Sequence, residues 1–205
     1  MVYQLTTRDI NSLISRFRPK VKNYAKKETI KTGTKYQNKL CLVTNGMVYL
    51  CVENDDFERS IIKIFTVGDV FSHAMILPDE QGVSYFIAKK ASKIAYFDRA
   101  ELTKYLINDN EHADKLFGIV HEQLEQENFS HNYILQQKTI KSKLICYFRY
   151  ESIKQQSKHI NVPIPYSDLA EYIGADRSSM MKELSRMKED KLIVGEKRSI
   201  NINFD

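Results

Sequence analysis

Seven residues near the C-terminal end carry the chemistry that this chain can offer a partner: Arg177, Ser178, Ser179, Lys182, Arg186, Lys197 and Arg198. The first five lie on a predicted helix that carries Met180, Leu184 and Met187 inward and leaves them free for outward work. The last two fall at the tip of a strand-turn-strand pattern. Guanidinium groups form paired hydrogen bonds with planar acceptors, ammonium groups attract phosphate, and hydroxyls donate or accept; together these suit a nucleic-acid groove. No comparable catalytic set stands beside them. The chain has no Walker loop, no HExxH and no GxSxG, and its histidines do not cluster with cysteine, so no enzyme activity and no catalytic residue are expected.

The elements that must hold these side chains can be read from the residues before and after them. Ser167 is expected to cap a first helix whose Leu169, Ala170 and Ile173 form one buried stripe. Gly174 ends it, because glycine accepts the left-handed backbone of a tight turn, and Asp176 caps the next helix, about Arg177–Asp190. Ala170 is small where two steeply crossing helices approach closely. Leu192–Val194, a turn over Gly195–Ser199 and Ile200–Ile202 then read as a basic hairpin, or wing. A helical hairpin in a protein-binding domain is the competing reading. Before this unit, a helix over about Thr139–Gln155 turns Leu144, Ile145, Tyr147 and Phe148 inward, and Pro163 and Pro165 break the chain ahead of the first reader helix.

Upstream the pattern is one of short strands at Leu40–Val43, Met47–Val52, Ile61–Phe65, Tyr85–Ala88 and Ile94–Phe97, which points to an antiparallel roll or barrel. Asn45-Gly46 between two apolar runs predicts a two-residue hairpin pairing Thr44 with Met47 and Cys41 with Leu50; a three-residue loop would instead oppose Cys41 and Cys51. The first 30 residues read as mostly helical, with Leu5, Ile10, Leu13, Ile14 and Phe17 on the apolar face. A short helix near Arg99–Ile107 leads into a long one, roughly Glu111–Gln137, with Phe117, Val120, Leu124 and Ile134 along a seam. That seam calls for a partner, and a second copy of the chain is the simplest one. Glu127 and His131 interrupt it, where the helices diverge, the seam shifts or polar residues fix register. His121 and Glu125 read as a surface pair rather than metal ligands.

Composition narrows the class without deciding it. The 205 residues carry a formal charge of +5 and a 42% hydrophobic share, ordinary for a soluble globular protein. From His159 onward, seven Lys/Arg face eight Asp/Glu, so affinity for DNA must come from local placement of cations. A second basic concentration, Arg16, Arg18, Lys20, Lys22, Lys26 and Lys27, reads as solvated surface. No apolar run is long enough to cross a bilayer and no signal-peptide pattern opens the chain, so no membrane partner and a cytoplasmic location are expected. Cys41, Cys51 and Cys146 have no metal-ligand spacing and are expected to be reduced, with no metal and no cofactor bound.

Over roughly residues 20 to 203 the chain resembles the Crp/Fnr family of bacterial transcription regulators. The resemblance rests on Gly33, Asn45-Gly46 and Val67-Gly68-Asp69-Val70-Phe71, and on Asp168-Leu-Ala-Glu-Tyr-Ile-Gly174 through Arg177 and Leu184. It implies an α+β chain: an N-terminal antiparallel β-roll (a double-stranded, jelly-roll-like β-helix), a long dimerisation helix and a C-terminal winged helix-turn-helix. It also implies a homodimer reading a near-palindromic site on double-stranded DNA. By matching, Arg177 is the arginine that opens the recognition helix and bonds guanine, and Lys182 stands where a second base- or phosphate-contacting cation sits. Ser178 replaces a frequent glutamate, and Glu183 a usually apolar residue. In cyclic-nucleotide-binding members a glutamate holds the ribose and an Arg-Ser pair the cyclic phosphate; His73 and Val83-Ser84 stand there instead. A buried phosphate without its counter-charge costs roughly 3 to 5 kcal/mol, so cyclic AMP is not the expected effector. The cysteine cluster of iron-sulfur members is missing too, and a haem on His73 would rest on a lone histidine.

The expected domains are a sensor-like roll (1–108), a dimerisation helix (109–137) and a DNA-binding domain (138–205). Partners are DNA, a second copy through the helix about Glu111–Gln137, RNA polymerase as a further candidate, and a small-molecule effector or none. Two alternatives stay open: a dimeric ligand-binding module that has lost DNA reading, and a cupin-like metalloenzyme, for which only His73 falls in the roll.

Overall fold

The computed structural model describes residues 5–30, 36, 38–55, 58–72, 83–107, 113–114, 118 and 132–204. They fall into two compact units, Met1–Gln123 and Leu124–Asp205. The first opens with α1 (Thr7–Phe17), started by a capping box in which Thr6 and Asp9 bond each other's backbone N–H. Strands β1 (Lys20–Tyr24), β2 (Thr29–Ile30), β3 (Lys39–Asn45), β4 (Val48–Glu53), β5 (Arg59–Phe65), β6 (Val70–Ser72), β7 (Val83–Ala88) and β8 (Ser92–Asp98) follow, then α2 (Arg99–Leu106).

The strands form two antiparallel four-stranded sheets, ordered β1-β8-β3-β6 and β2-β7-β4-β5. Alternation along the strands explains both faces of the first sheet. Cys41, Val43, Ile94 and Tyr96 join the interior cluster with Tyr24, Leu50, Phe65, Phe71 and Phe86, while Leu42, Ala95 and Phe97 pack under Ile10 and Leu13 of α1 and Leu102 of α2. A sheet buried on both sides reads as a continuous apolar run, as at Leu40–Val43 and Ile94–Phe97.

Asn45-Gly46 does not close a hairpin. β3 has β8 and β6 on its two edges and β4 has β5 and β7, so neither has an edge left for the other. The turn instead carries the chain from one sheet to the next. Gly46 has φ +92°, and a Cβ there would lie 2.5 Å from the Ala91 carbonyl oxygen and 2.7 Å from Ser92 Cα. The buried Ser92 hydroxyl fixes the corner, accepting from Met47 N at 3.1 Å and lying 2.7 Å from the Lys90 carbonyl oxygen. Cys41 and Cys51 therefore sit in different sheets, both buried, and the pairing expected between Cys41 and Leu50 does not occur. The first 30 residues also differ from the mostly helical expectation: the helix stops at Phe17, Arg18 takes the left-handed conformation, and β1 and β2 follow.

The second unit contains α3 (Ile134–Gln136), α4 (Ile140–Gln155), β9 (His159–Asn161), α5 (Tyr166–Tyr172), α6 (Arg177–Glu189), β10 (Ile193–Glu196) and β11 (Ser199–Ile202), with a sheet ordered β10-β11-β9. Leu144, Tyr147 and Phe148 of α4, Leu169, Ala170 and Ile173 around α5, Met180, Leu184 and Met187 of α6, and Ile193, Ile200 and Ile202 of the wing are all buried. Of the long helix expected over Glu111–Gln137, only residues 113, 114 and 118 and the end from 132 onward are described, and these are helical up to Gln136. Its seam residues Phe117, Val120 and Leu124 lie outside the described residues, as do Glu127, His131, His121 and Glu125.

Candidate nucleic-acid interface

The reader is assembled from its caps. α5 starts one residue before the expected cap: Pro165 is its extended N-terminal flank, its carbonyl accepting from Asp168 N and Leu169 N, and Ser167 lies inside the first turn. Ser167 caps nothing there, and its hydroxyl donates to the Asp168 carboxylate at 3.1 Å. At the far end Gly174, φ +59°, makes the turn between the helices. Lys143 of α4 donates to the carbonyl oxygens of Ile173 (2.9 Å) and Gly174 (3.1 Å), placing a cation at the negative end of α5.

Asp176 caps α6. Its Oδ1 accepts from Ser179 N (2.9 Å) and from the hydroxyls of Ser178 (2.6 Å) and Ser179 (2.8 Å). These bonds hold its carboxyl well below the usual carboxylate range, the Ser178 hydroxyl contributing most. Arg177, Ser178, Ser179, Lys182 and Arg186 are all exposed, as the sequence predicts. Arg177 and Lys182 have no ion-pair partner among the described residues, whereas Arg186 lies 3.6 Å from Glu183. Glu183, the departure from the family pattern, is thus accommodated as a half-buried partner of Arg186. Ser185 completes this face, following Ser178 and Lys182 at four- and three-residue spacing. Nothing in the sequence sets Ser185 apart, since it stands beyond the Arg177-Ser178-Ser179 cluster at the helix start.

The wing turn is Lys197-Arg198, with Glu196 opposite Ser199, so both cations sit at the tip and are exposed. Lys197 has φ +49°. Its carbonyl accepts from the Tyr166 hydroxyl at 2.5 Å, and Arg198 Nη1 donates to the Pro163 carbonyl at 3.4 Å, which ties the tip to the start of α5. The third strand, β9, was not read from the sequence, because Ile160 is its one buried residue.

In the roll, His73 lies outside the described residues. Val83 opens β7 opposite Glu53, and Ser84, opposite Val52, is buried. The rings of Phe65, Phe71 and Phe86 meet at centroid distances of 4.5 to 5.9 Å and occupy the interior between the sheets. Burial pushes the Cys41 thiol up to about 12 and also raises that of the half-buried Cys146. Of the N-terminal cations, Arg16 stacks on Tyr105 at 4.1 Å and Lys22 donates to the Tyr36 hydroxyl, so these two are packed on aromatic rings as well as solvated. Among the described residues no group of three or more His, Cys, Asp or Glu could hold a metal ion, and no helix is long and apolar enough to cross a membrane.

Two facing antiparallel sheets in one unit and a helix-turn-helix with a basic wing in the other make up a fold that solved structures share over nearly the whole chain. FixK2 from Bradyrhizobium japonicum aligns at 19% identity and TM-score 0.67 over 91% of this chain and 93% of its own. A CooA mutant from Carboxydothermus hydrogenoformans aligns at 15% and 0.75 over 94% and 86%. A cyclic nucleotide-binding domain containing protein from Listeria monocytogenes EGD-e aligns at 14% and 0.77 over 94% and 97%. By sequence, residues 142–203 match the Crp-like helix-turn-helix domain, the part of the chain that holds α4 to β11. No curated protein matches the chain.

Proposed function

We propose that this protein is a sequence-specific transcription regulator that binds a near-palindromic DNA site as a homodimer, with α6 in the major groove of each half-site. The observation that carries the reading is the exposed face of Arg177, Ser178 and Lys182 beside wing cations Lys197 and Arg198. In this reading Arg177 bonds the O6 and N7 atoms of a guanine, Ser178 and Ser179 lie at neighbouring base edges, and Lys182, Arg186, Lys197 and Arg198 supply phosphate contacts. The second copy joins through the helix about Glu111–Gln137, and RNA polymerase is a further partner at the promoter. The proposal includes either no effector or one other than cyclic AMP, since Val83-Ser84 offers no arginine for a phosphate.

Gel-shift with genomic fragments at rising salt tests the proposal. Selected fragments should stay bound at salt concentrations that release bulk DNA. Equal release of every fragment would overturn it and leave a dimeric module that no longer reads DNA.

A further inference from the structure

We infer that Ser178 reads its base as a hydrogen-bond acceptor, and therefore selects cytosine or adenine on the contacted strand beside the guanine bound by Arg177. This inference rests on the DNA reading proposed above and adds a specificity to it.

The argument begins with a single proton. A serine hydroxyl has one hydrogen and two lone pairs, and an ionised carboxylate can only accept. Ser178 Oγ lies 2.6 Å from Asp176 Oδ1, so the hydroxyl must be the donor there. Asp176 stays ionised because the same oxygen also accepts from Ser179 N and Ser179 Oγ and sits at the positive end of α6. With its hydrogen committed, Ser178 presents only lone pairs to the groove. Turning the hydroxyl around would break a charge-assisted bond, which is stronger than a neutral one to a base.

The major groove offers hydrogen-bond donors at just two places, the N6 amino group of adenine and the N4 amino group of cytosine. Guanine and thymine present acceptors at the corresponding edge, where two sets of lone pairs would face each other. Phosphate oxygens are also acceptors, so Ser178 in this state is matched to a base rather than to the backbone. The hydroxyl of Ser179 is committed to Asp176 in the same way. Ser178, however, shares its face with Lys182 and Ser185, opposite the buried Met180, Leu184 and Met187.

Selection of binding sites from random duplex DNA by the full chain tests this. Wild-type protein should enrich cytosine or adenine about fivefold over guanine or thymine at the position next to the guanine, the discrimination expected of one hydrogen bond. Ser178→Ala, a change at an exposed position, should keep the guanine and lose that preference. Asp176→Asn retains a cap acceptor but adds an amide donor that can face the Ser178 oxygen, and should admit guanine and thymine. Enrichment of guanine or thymine by the wild type, or an unchanged preference in Ser178→Ala, overturns the inference while the DNA reading stands. Failure to enrich any sequence overturns the DNA reading and this inference with it.

Discussion

Replacing Arg177 with alanine should remove the requirement for one guanine in each half-site and leave the fold intact. The side chain is exposed and has no ion-pair partner among the described residues, so its removal strands no buried charge. Alanine is the best helix former, and α6 remains capped by Asp176 and seated by Met180, Leu184 and Met187. The loss is then that of one bidentate contact, about 1 to 3 kcal/mol per half-site, or about 5- to 150-fold. A dimer engaging two half-sites loses roughly twice that free energy. Fluorescence anisotropy at fixed salt, with each guanine of the half-site replaced in turn, checks it. Wild-type affinity should drop when one particular guanine is replaced, whereas Arg177→Ala should no longer respond to that replacement. The salt dependence of binding should stay nearly unchanged, because a base contact displaces no phosphate counterion. A uniform loss across all sequences, with the salt slope smaller by about one, would refute the reasoning and make Arg177 a phosphate contact.

Three further outcomes follow from the geometry. Lys197→Ala should weaken all sequences alike and reduce the salt slope by about one, measured by the same titration; a changed base preference would place the wing in a groove instead. Gly46→Ala should destabilise the roll by about 2 kcal/mol, because the left-handed backbone and the Ala91 carbonyl 2.5 Å from the new Cβ both oppose it. An unchanged thermal midpoint would show that the corner relaxes freely. Burial raises the carboxyl of Glu151 above its ordinary 4.5, so the folded chain holds that proton more tightly than the unfolded chain. The stability it contributes is therefore lost as pH rises from about 4.5 through the raised value. Glu151→Gln should lift the melting midpoint at neutral pH and flatten that decline; a lower midpoint would mean that the carboxylate's own bond to Gln155 outweighs its desolvation.

How much of this could be read beforehand depends on where each element keeps its information. The five longer strands of the roll announce themselves because β3, β4 and β8 are buried along most of their length. β1 escaped notice because Tyr24 is its one buried residue. β2 and β6 have two and three residues, too few for any period to show. The mistaken hairpin has a different origin. Asn45-Gly46 has the local chemistry of a two-residue turn, but strand pairing depends on which edges remain open, and β6 and β8 occupy both edges of β3. Those partners come from later in the chain, so nothing near the turn records them.

At the reader, the apolar stripes of α5 and α6 and the cap at Asp176 were legible because helix periodicity and capping are local rules. What they left unsaid is how each polar group is already engaged within the folded domain. Lys143 acts on the turn from 30 residues earlier in the sequence, donating to the carbonyl oxygens that the end of α5 leaves without helical partners. Arg186 looks like a free cation in the sequence, yet it pairs with Glu183 one turn back. At that surface separation the pair is weak, so Arg186 can exchange its carboxylate for a phosphate at little cost. Ser178 differs in kind. Its bond to Asp176 is short, is part of the helix cap and decides which way its single hydrogen points. Under the proposed function, an ion pair whose cation is exposed is traded on binding without changing specificity, whereas a committed hydroxyl carries its orientation into the groove. Under the proposed function, the Asp176–Ser178 contact therefore bears more directly on the base preferred beside the guanine of Arg177 than do the phosphate-directed charges of Lys182 and Arg186.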